Sequence, residues 1–121
     1  MYTEKTLRLF RKPKHAGRIE NADLVGTAGN PVCGDVMKLY IKLEKGKIKK
    51  MLFETFGCVS AVATTEALCE MAIGKTLEEA KKITPKQIQE FLGGLPAIKQ
   101  HCTVLGMQTL KKAIEDYEKR V

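Results

Sequence analysis

The stretch VMKLYIKLEKGKIKKMLFETF, residues 36–56, decides the fold because apolar and polar residues alternate along both of its halves. The apolar positions that share one face in each half are Met37, Leu39, Ile41 and Leu43, and then Met51 and Phe53. Alternation of this kind is typical of a strand with one buried face. Gly46, flanked by lysines, offers a tight turn between the halves. The stretch therefore predicts an antiparallel β-hairpin.

The hairpin connects two cysteines. Cys33 lies just before its first strand, and Cys58 follows its second strand directly. Because paired strands fold back on themselves, the outer ends of the hairpin at Asp35 and Phe56 should be neighbours in space. The topology alone is expected to bring Cys33 and Cys58 together.

Helices are predicted on both sides of the hairpin. An N-terminal helix of about residues 4–12 begins after Thr3, and a helix over 60–72 ends before Gly74. Two short helices capped by Thr76 and Thr84 follow, the second ended by Gly93-Gly94, and Pro96 opens a last helix with Cys102 in an early turn. With a short strand near 24–28, we expect one α+β domain over residues 1–121, a three-stranded antiparallel sheet packed against several helices.

The composition narrows the function classes. The formal net charge is +7, and the basic N-terminal segment, residues 1–18, has Glu4 as its one acidic residue. Such a segment could meet nucleic acid or an acidic protein surface, although a charge run is more often a solvated face. Nucleic acid is unlikely because no recognition motif is present.

No apolar run is long enough to span a membrane, and the start lacks a secretory signal, so a cytoplasmic protein with reduced thiols is expected.

Cys33, Cys58 and Cys102 are typical of metal-binding thiolates. The first two adjoin a glycine, which lets the backbone approach a ligand, and the last two fall near predicted helix N-termini, which favour the thiolate. Soft thiolates bind zinc, copper(I) or iron-sulfur centres, and Asp35 or His101 could complete the site. The long gaps between the cysteines differ from the short knuckles of structural zinc modules. They favour a carrier site that fills and empties without unfolding.

Three segments carry a family resemblance: residues 30–37 (NPVCGDVM), 53–61 (FETFGCVSA) and 99–102 (KQHC). In order and spacing they are similar to the signature segments of the IscU/NifU-type iron-sulfur cluster assembly scaffolds. The resemblance covers nearly the whole chain. It implies an IscU-like fold and a scaffold or carrier protein, not an enzyme.

The resemblance also implies a set of roles. The scaffold would receive persulfide sulfur from a cysteine desulfurase, combine it with iron into a labile [2Fe-2S] cluster, and pass the cluster to apo-proteins. Cys33, Cys58 and Cys102 would be cluster ligands, and Cys102 would also accept the persulfide. Asp35 would be a labile fourth ligand and His101 an alternative one. Such scaffolds can also hold zinc when iron is absent.

Other family members differ from this chain in ways that bear on its partners. Residues 95–99 (LPAIK) depart from the motif that a dedicated Hsp70 chaperone recognises in the family, so recognition by that chaperone is doubtful. Tyr2 resembles an N-terminal tyrosine that some members use in dimer contacts, which makes a homodimer a candidate state. The alternative function is a zinc-bound sulfur acceptor that activates a cysteine desulfurase.

Two further residues have predictions of a simpler kind. Cys69 lies about three helical turns past Cys58, roughly 16 Å along a helix axis, and is expected to be a buried thiol outside the site. His15 stands in a basic loop and is expected to be exposed and without a role.

Overall fold

The computed structural model describes residues 3–30, 35–56, 59–94 and 101–120, without the side chains of residues 28–30, 35, 56, 60, 101, 102 and 120. Its elements in chain order are α1 (Glu4–Arg11), β1 (Leu24–Asn30), β2 (Asp35–Glu44), β3 (Lys47–Phe56), α2 (Val59–Ala72), α3 (Leu77–Lys81), α4 (Pro85–Phe91) and α5 (His101–Arg120). This confirms the predicted α+β class.

The three strands form one antiparallel sheet in the order β1-β2-β3. The predicted hairpin is β2–β3, and its two-residue turn has positive φ at both Lys45 (54°) and Gly46 (78°), as in a type I′ turn. β1 reaches Asn30, two residues beyond the predicted strand. The extra length matters because it carries β1 to the start of β2.

The core lies between one face of the sheet and the helices α2 and α5. Met37, Leu39, Ile41 and Met51 are 0% exposed, as their alternation predicts. Leu43 packs against the same core, as predicted, but is only half-buried near the hairpin turn, where the register shifts between Lys42 and Leu43. An irregularity of this kind disturbs the strict two-residue period beyond it.

The helix ends follow the sequence closely. Thr3, Thr76 and Thr84 are N-caps, each accepting a hydrogen bond from a backbone N–H three residues on. Glu79 and Gln87 complete capping boxes at the last two. The predicted opening of the last helix at Pro96 lies outside the described residues. Across the described ranges, we find no helix with the length and apolar character that crossing a bilayer requires.

Candidate functional site

One end of the sheet gathers the segments that lead to the predicted ligands. At this end Asn30 of β1 pairs with Asp35 of β2, and Val36 pairs with Phe56 of β3. The chain between Asn30 and Asp35 contains Cys33, and the chain between Phe56 and Val59 contains Cys58. Cys33 and Cys58 themselves lie outside the described residues.

Helix α5 points its N-terminal end toward the same place. A Cβ on Gly26 would lie 2.8 Å from the Ala113 Cβ, whereas one on Gly106 would lie 3.9 Å from the Met37 Cε. Gly26 pairs with Leu39, and Met37 lies nearer than Leu39 to the start of β2. The part of α5 that contains Gly106 therefore lies closer to the start of β2 than the part that contains Ala113. His101 begins the helix five residues before Gly106, roughly 7 Å farther along the axis.

Helix α2 starts at the same end of the sheet, only three residues after Phe56 ends β3. The same Cβ on Gly106 would contact Thr64 Cγ2 at 3.7 Å and Leu68 Cδ2 at 3.6 Å, so the middle of α2 lies beside the first half of α5. α2 begins at Val59, directly after Cys58. The first turns of both helices therefore lie near the paired ends of the strands, and the positive ends of their dipoles fall there too.

The structure thus locates some of the predicted site residues, while others lie outside its described part. It brings the backbones of Asp35, His101 and Cys102 toward one end of the sheet, and their side chains lie outside its described part. Among the side chains that are described, no three histidine, cysteine or acidic groups are close enough to hold a metal ion. The ligand set and its geometry therefore stay predictions.

Cys69 is fully buried in α2 and has no disulfide partner, which confirms the expectation of a buried free thiol. Burial raises the pKa of this thiol well above its usual 9.0, and the nearby carboxylates of Glu66 and Glu70 add to the effect. A protonated, inaccessible thiol has little affinity for metal or electrophiles.

The prediction that His15 is exposed and without a role was wrong. Its backbone N–H donates to Glu66 Oε1 at 2.8 Å, and its Nδ1 lies 2.5 Å from Glu66 Oε2. Glu66 is 0% exposed and the His15 side chain is 21% exposed. The signal for this pair was present, because Glu66 interrupts the otherwise uncharged run from Val59 to Cys69 and a buried carboxylate needs a partner.

The same N-terminal segment extends the sheet edge. Phe53 N–H donates to the His15 carbonyl and Gly17 N–H donates to the Phe53 carbonyl, both at 2.8 Å. Nearby, Arg18 Nε and the Tyr40 hydroxyl both donate to the Glu54 carboxylate, at 2.8 and 2.6 Å. These hydrogen bonds, that of Tyr40 foremost, lower the pKa of Glu54. Tyr40 is buried by this arrangement although it points away from the core.

A small α+β domain in which three cysteine-bearing segments lead to one end of the sheet has the architecture of a binding protein. Comparison with known proteins identifies the family of this chain. The family model described as NifU-like N-terminal domain matches residues 1–121. The chain is 51% identical over 117 residues to the iron-sulfur cluster assembly scaffold protein IscU 1 of Archaeoglobus fulgidus, covering 97% of this chain and 76% of that protein. The chain belongs to the NifU-like N-terminal domain family.

Other proteins that are similar to this chain carry the same scaffold description. The iron-sulfur cluster assembly scaffold protein IscU of Aquifex aeolicus is 48% identical over 118 residues, which are 96% of this chain and 75% of that protein. A crystal structure described as a scaffold for iron-sulfur cluster assembly in the SUF system of Fervidobacterium islandicum has a TM-score of 0.79 at 29% identity, covering 93% of this chain and 96% of that one. This structural likeness agrees with the α+β fold described above.

Proposed function

We propose that this protein is a scaffold on which a labile [2Fe-2S] cluster is assembled from iron and persulfide sulfur and from which it passes to apo-proteins. The scaffold role follows from the family, whose members compared above are named as scaffolds and not as enzymes. The observation that carries the proposal is the meeting of the ends of β1 and β3, the start of β2 and the first turns of α2 and α5. A cysteine desulfurase would be the sulfur donor, and a cytoplasmic location stays a prediction.

In this proposal Cys33, Cys58 and Cys102 hold the cluster and Asp35 is the weak fourth ligand, with His101 as the alternative. Thiolates suit iron in a cluster, whereas a carboxylate is a harder donor that releases it more readily. Cys102 would take the sulfane sulfur when its thiolate attacks the donor's persulfide and the donor's thiolate leaves. Two electrons from an external reductant then convert that sulfur to sulfide.

The first test is visible absorption after anaerobic incubation with ferrous iron, cysteine and a cysteine desulfurase. We expect a sulfide-to-iron charge-transfer spectrum in the wild type and in Cys69→Ser, the matched control with a thiol outside the site. We expect its loss in Cys33→Ser. A colourless wild-type protein that still accepts sulfur and retains zinc would instead support the zinc-bound sulfur acceptor.

The role of Asp35 has its own test. Asp35→Ala, loaded with cluster, should lose its colour to a chelator more slowly than the wild type because the hard ligand has been removed. Asp116→Ala, on an exposed position of α5 fifteen residues past His101, is the control and should match the wild type. Equal or faster loss in Asp35→Ala would exclude this role.

A further inference from the structure

Four cations near the end of α1 form one exposed surface, named here the α1 patch: Arg8, Arg11, Lys12 and Lys14. Arg8 and Arg11 are three residues apart on α1, so their side chains are neighbours on the helix surface. Lys12 is the C-cap of the helix, and Lys14 follows two residues later. Phe10, 38% exposed, precedes Arg11 on α1 but faces a different side of the helix from Arg8. The patch thus has a concentrated positive charge, with an accessible aromatic ring on the adjoining side of the helix.

The fold does not use this charge. The ion pairs among the described residues involve Arg18, Lys42, Lys49, Lys81 and His15, and none of them involves the α1 patch. Like charges three and four residues apart oppose helix formation, although the C-terminal end of a helix tolerates cations. A requirement outside the isolated chain would account for this concentration of charge.

α1 is held in place by other residues. The hydroxyls of Thr3 and Thr6 both donate to the Leu92 carbonyl, at 2.6 and 3.4 Å, and Lys5 lies 3.6 Å from the centre of the Phe91 ring. The patch is therefore presented on a helix that packs mainly against α2 and is tied at its start to the end of α4. Its side chains are available without any rearrangement of the fold.

The α1 patch borders the end of the sheet where β1 and β3 end and β2 begins. Pro13, between Lys12 and Lys14, lines a concavity of about 470 Å³ together with Thr55 and Val62. Thr55 is the penultimate residue of β3, and Val62 lies in the first turn of α2. A molecule held by the patch would therefore lie beside the proposed cluster site.

We infer that the α1 patch docks an acidic protein surface, and that this surface belongs to a protein that exchanges sulfur or a cluster with the scaffold. Arginine and aromatic side chains are enriched at protein interfaces, and complementary charge speeds encounter and sets orientation. Nucleic acid is less suitable, because the sequence carries no nucleic-acid recognition motif beside the cations. The choice of an exchange partner rests on the proposed function, whereas the acidic surface rests on the patch alone.

The test uses the cluster-free full chain and a fluorescein-labelled decaglutamate peptide, followed by fluorescence anisotropy at low salt. The patch variant is Arg8→Gln/Arg11→Gln/Lys12→Gln/Lys14→Gln. Its matched control is Lys82→Gln/Lys86→Gln/Lys111→Gln/Lys112→Gln, which removes the same charge from exposed positions elsewhere. Far-UV circular dichroism verifies that both variants are folded.

We expect the patch variant to bind the peptide about tenfold more weakly than the wild type, since each exposed charge pair contributes modestly and four are lost. The control should stay within about twofold of the wild type at the same salt. Equal losses in both variants would overturn the inference, as would tighter binding of a single-stranded decanucleotide than of the peptide. Because no cluster is needed, failure of the scaffold proposal would leave these results unchanged.

Discussion

At the scale of single residues, the His15–Glu66 pair joins the N-terminal segment to the middle of α2. A fully buried carboxylate is stable only when hydrogen bonds replace its hydration, and both described contacts of Glu66 come from His15. If residues 15–17 left the edge of the sheet, the Glu66 carboxylate would become exposed to solvent or would stay buried without its hydrogen bonds. The segment and α2 should lose their structure together.

We predict that His15→Ala lowers the free energy of unfolding by about 2 kcal/mol, because a hydrogen bond to a buried charged group is lost while the backbone N–H still donates. Urea denaturation followed by circular dichroism measures this. In a Glu66→Gln background the same substitution should cost less than half as much, since no charge is left unpaired. Equal costs in both backgrounds would contradict the coupling.

Cys69 yields a second prediction at this scale. In the variant Cys33→Ser/Cys58→Ser/Cys102→Ser, which leaves Cys69 as the one thiol, Ellman's reagent should not react under native conditions and should titrate one thiol in guanidinium. Because the folded state keeps this thiol protonated, stability should also decline as pH rises past the ordinary value of 9.0. Rapid native labelling at neutral pH would show that Cys69 is accessible.

At the scale of elements, α5 meets the sheet and α2 through two glycines with opposite requirements. A Cβ on Gly26 would lie 2.8 Å from both the Ala113 Cβ and the Thr109 carbonyl oxygen, so β1 and α5 would have to separate. A Cβ on Gly106 would have ordinary contacts of 3.6 Å or more. The close approach of α5 to the sheet therefore depends on Gly26 and not on Gly106.

We therefore predict that Gly26→Ala destabilises the protein by about 2 kcal/mol through overpacking. Gly106→Ala should stabilise it by about 1 kcal/mol, since alanine is the better helix former and its methyl group fits. Chemical denaturation of both variants measures the two effects, and each variant serves as the other's control. Destabilisation by Gly106→Ala would mean that the close approach lies at α5 and α2 instead.

The elements also show which features of the fold can be predicted from the sequence. Alternation in β2 and β3 and the threonine caps at Thr76 and Thr84 act over a few residues, so their signals are legible in the sequence. The position of α5 across β1 and the pairing of His15 with Glu66 depend on contacts between distant segments. Local patterns carry no distance information of that kind. The hairpin is the exception, because it predicts that the start of β2 and the end of β3 are neighbours, and the pairing of Val36 with Phe56 confirms this.

At the scale of the whole molecule, the described core is built without the predicted ligands. Its fully buried apolar residues run from Leu24 to Ile114, while in the sequence the cysteine-bearing segments follow the ends of strands or begin a helix. A core of this size needs no metal to form, in contrast to a zinc finger whose folding energy comes from its ion. We therefore expect the fold to persist whether or not the proposed site is occupied.

This separation predicts that Cys33→Ser/Cys58→Ser/Cys102→Ser keeps a cooperative urea transition, with an m-value within about 15% of that of the metal-free wild type. The m-value reflects the surface exposed on unfolding, and the substitutions leave the apolar core unchanged. Treatment of the wild type with a chelator provides the comparison. A broad, non-cooperative transition in the variant would mean that the thiolates hold the fold together, and the protein would then have to unfold to release its cargo.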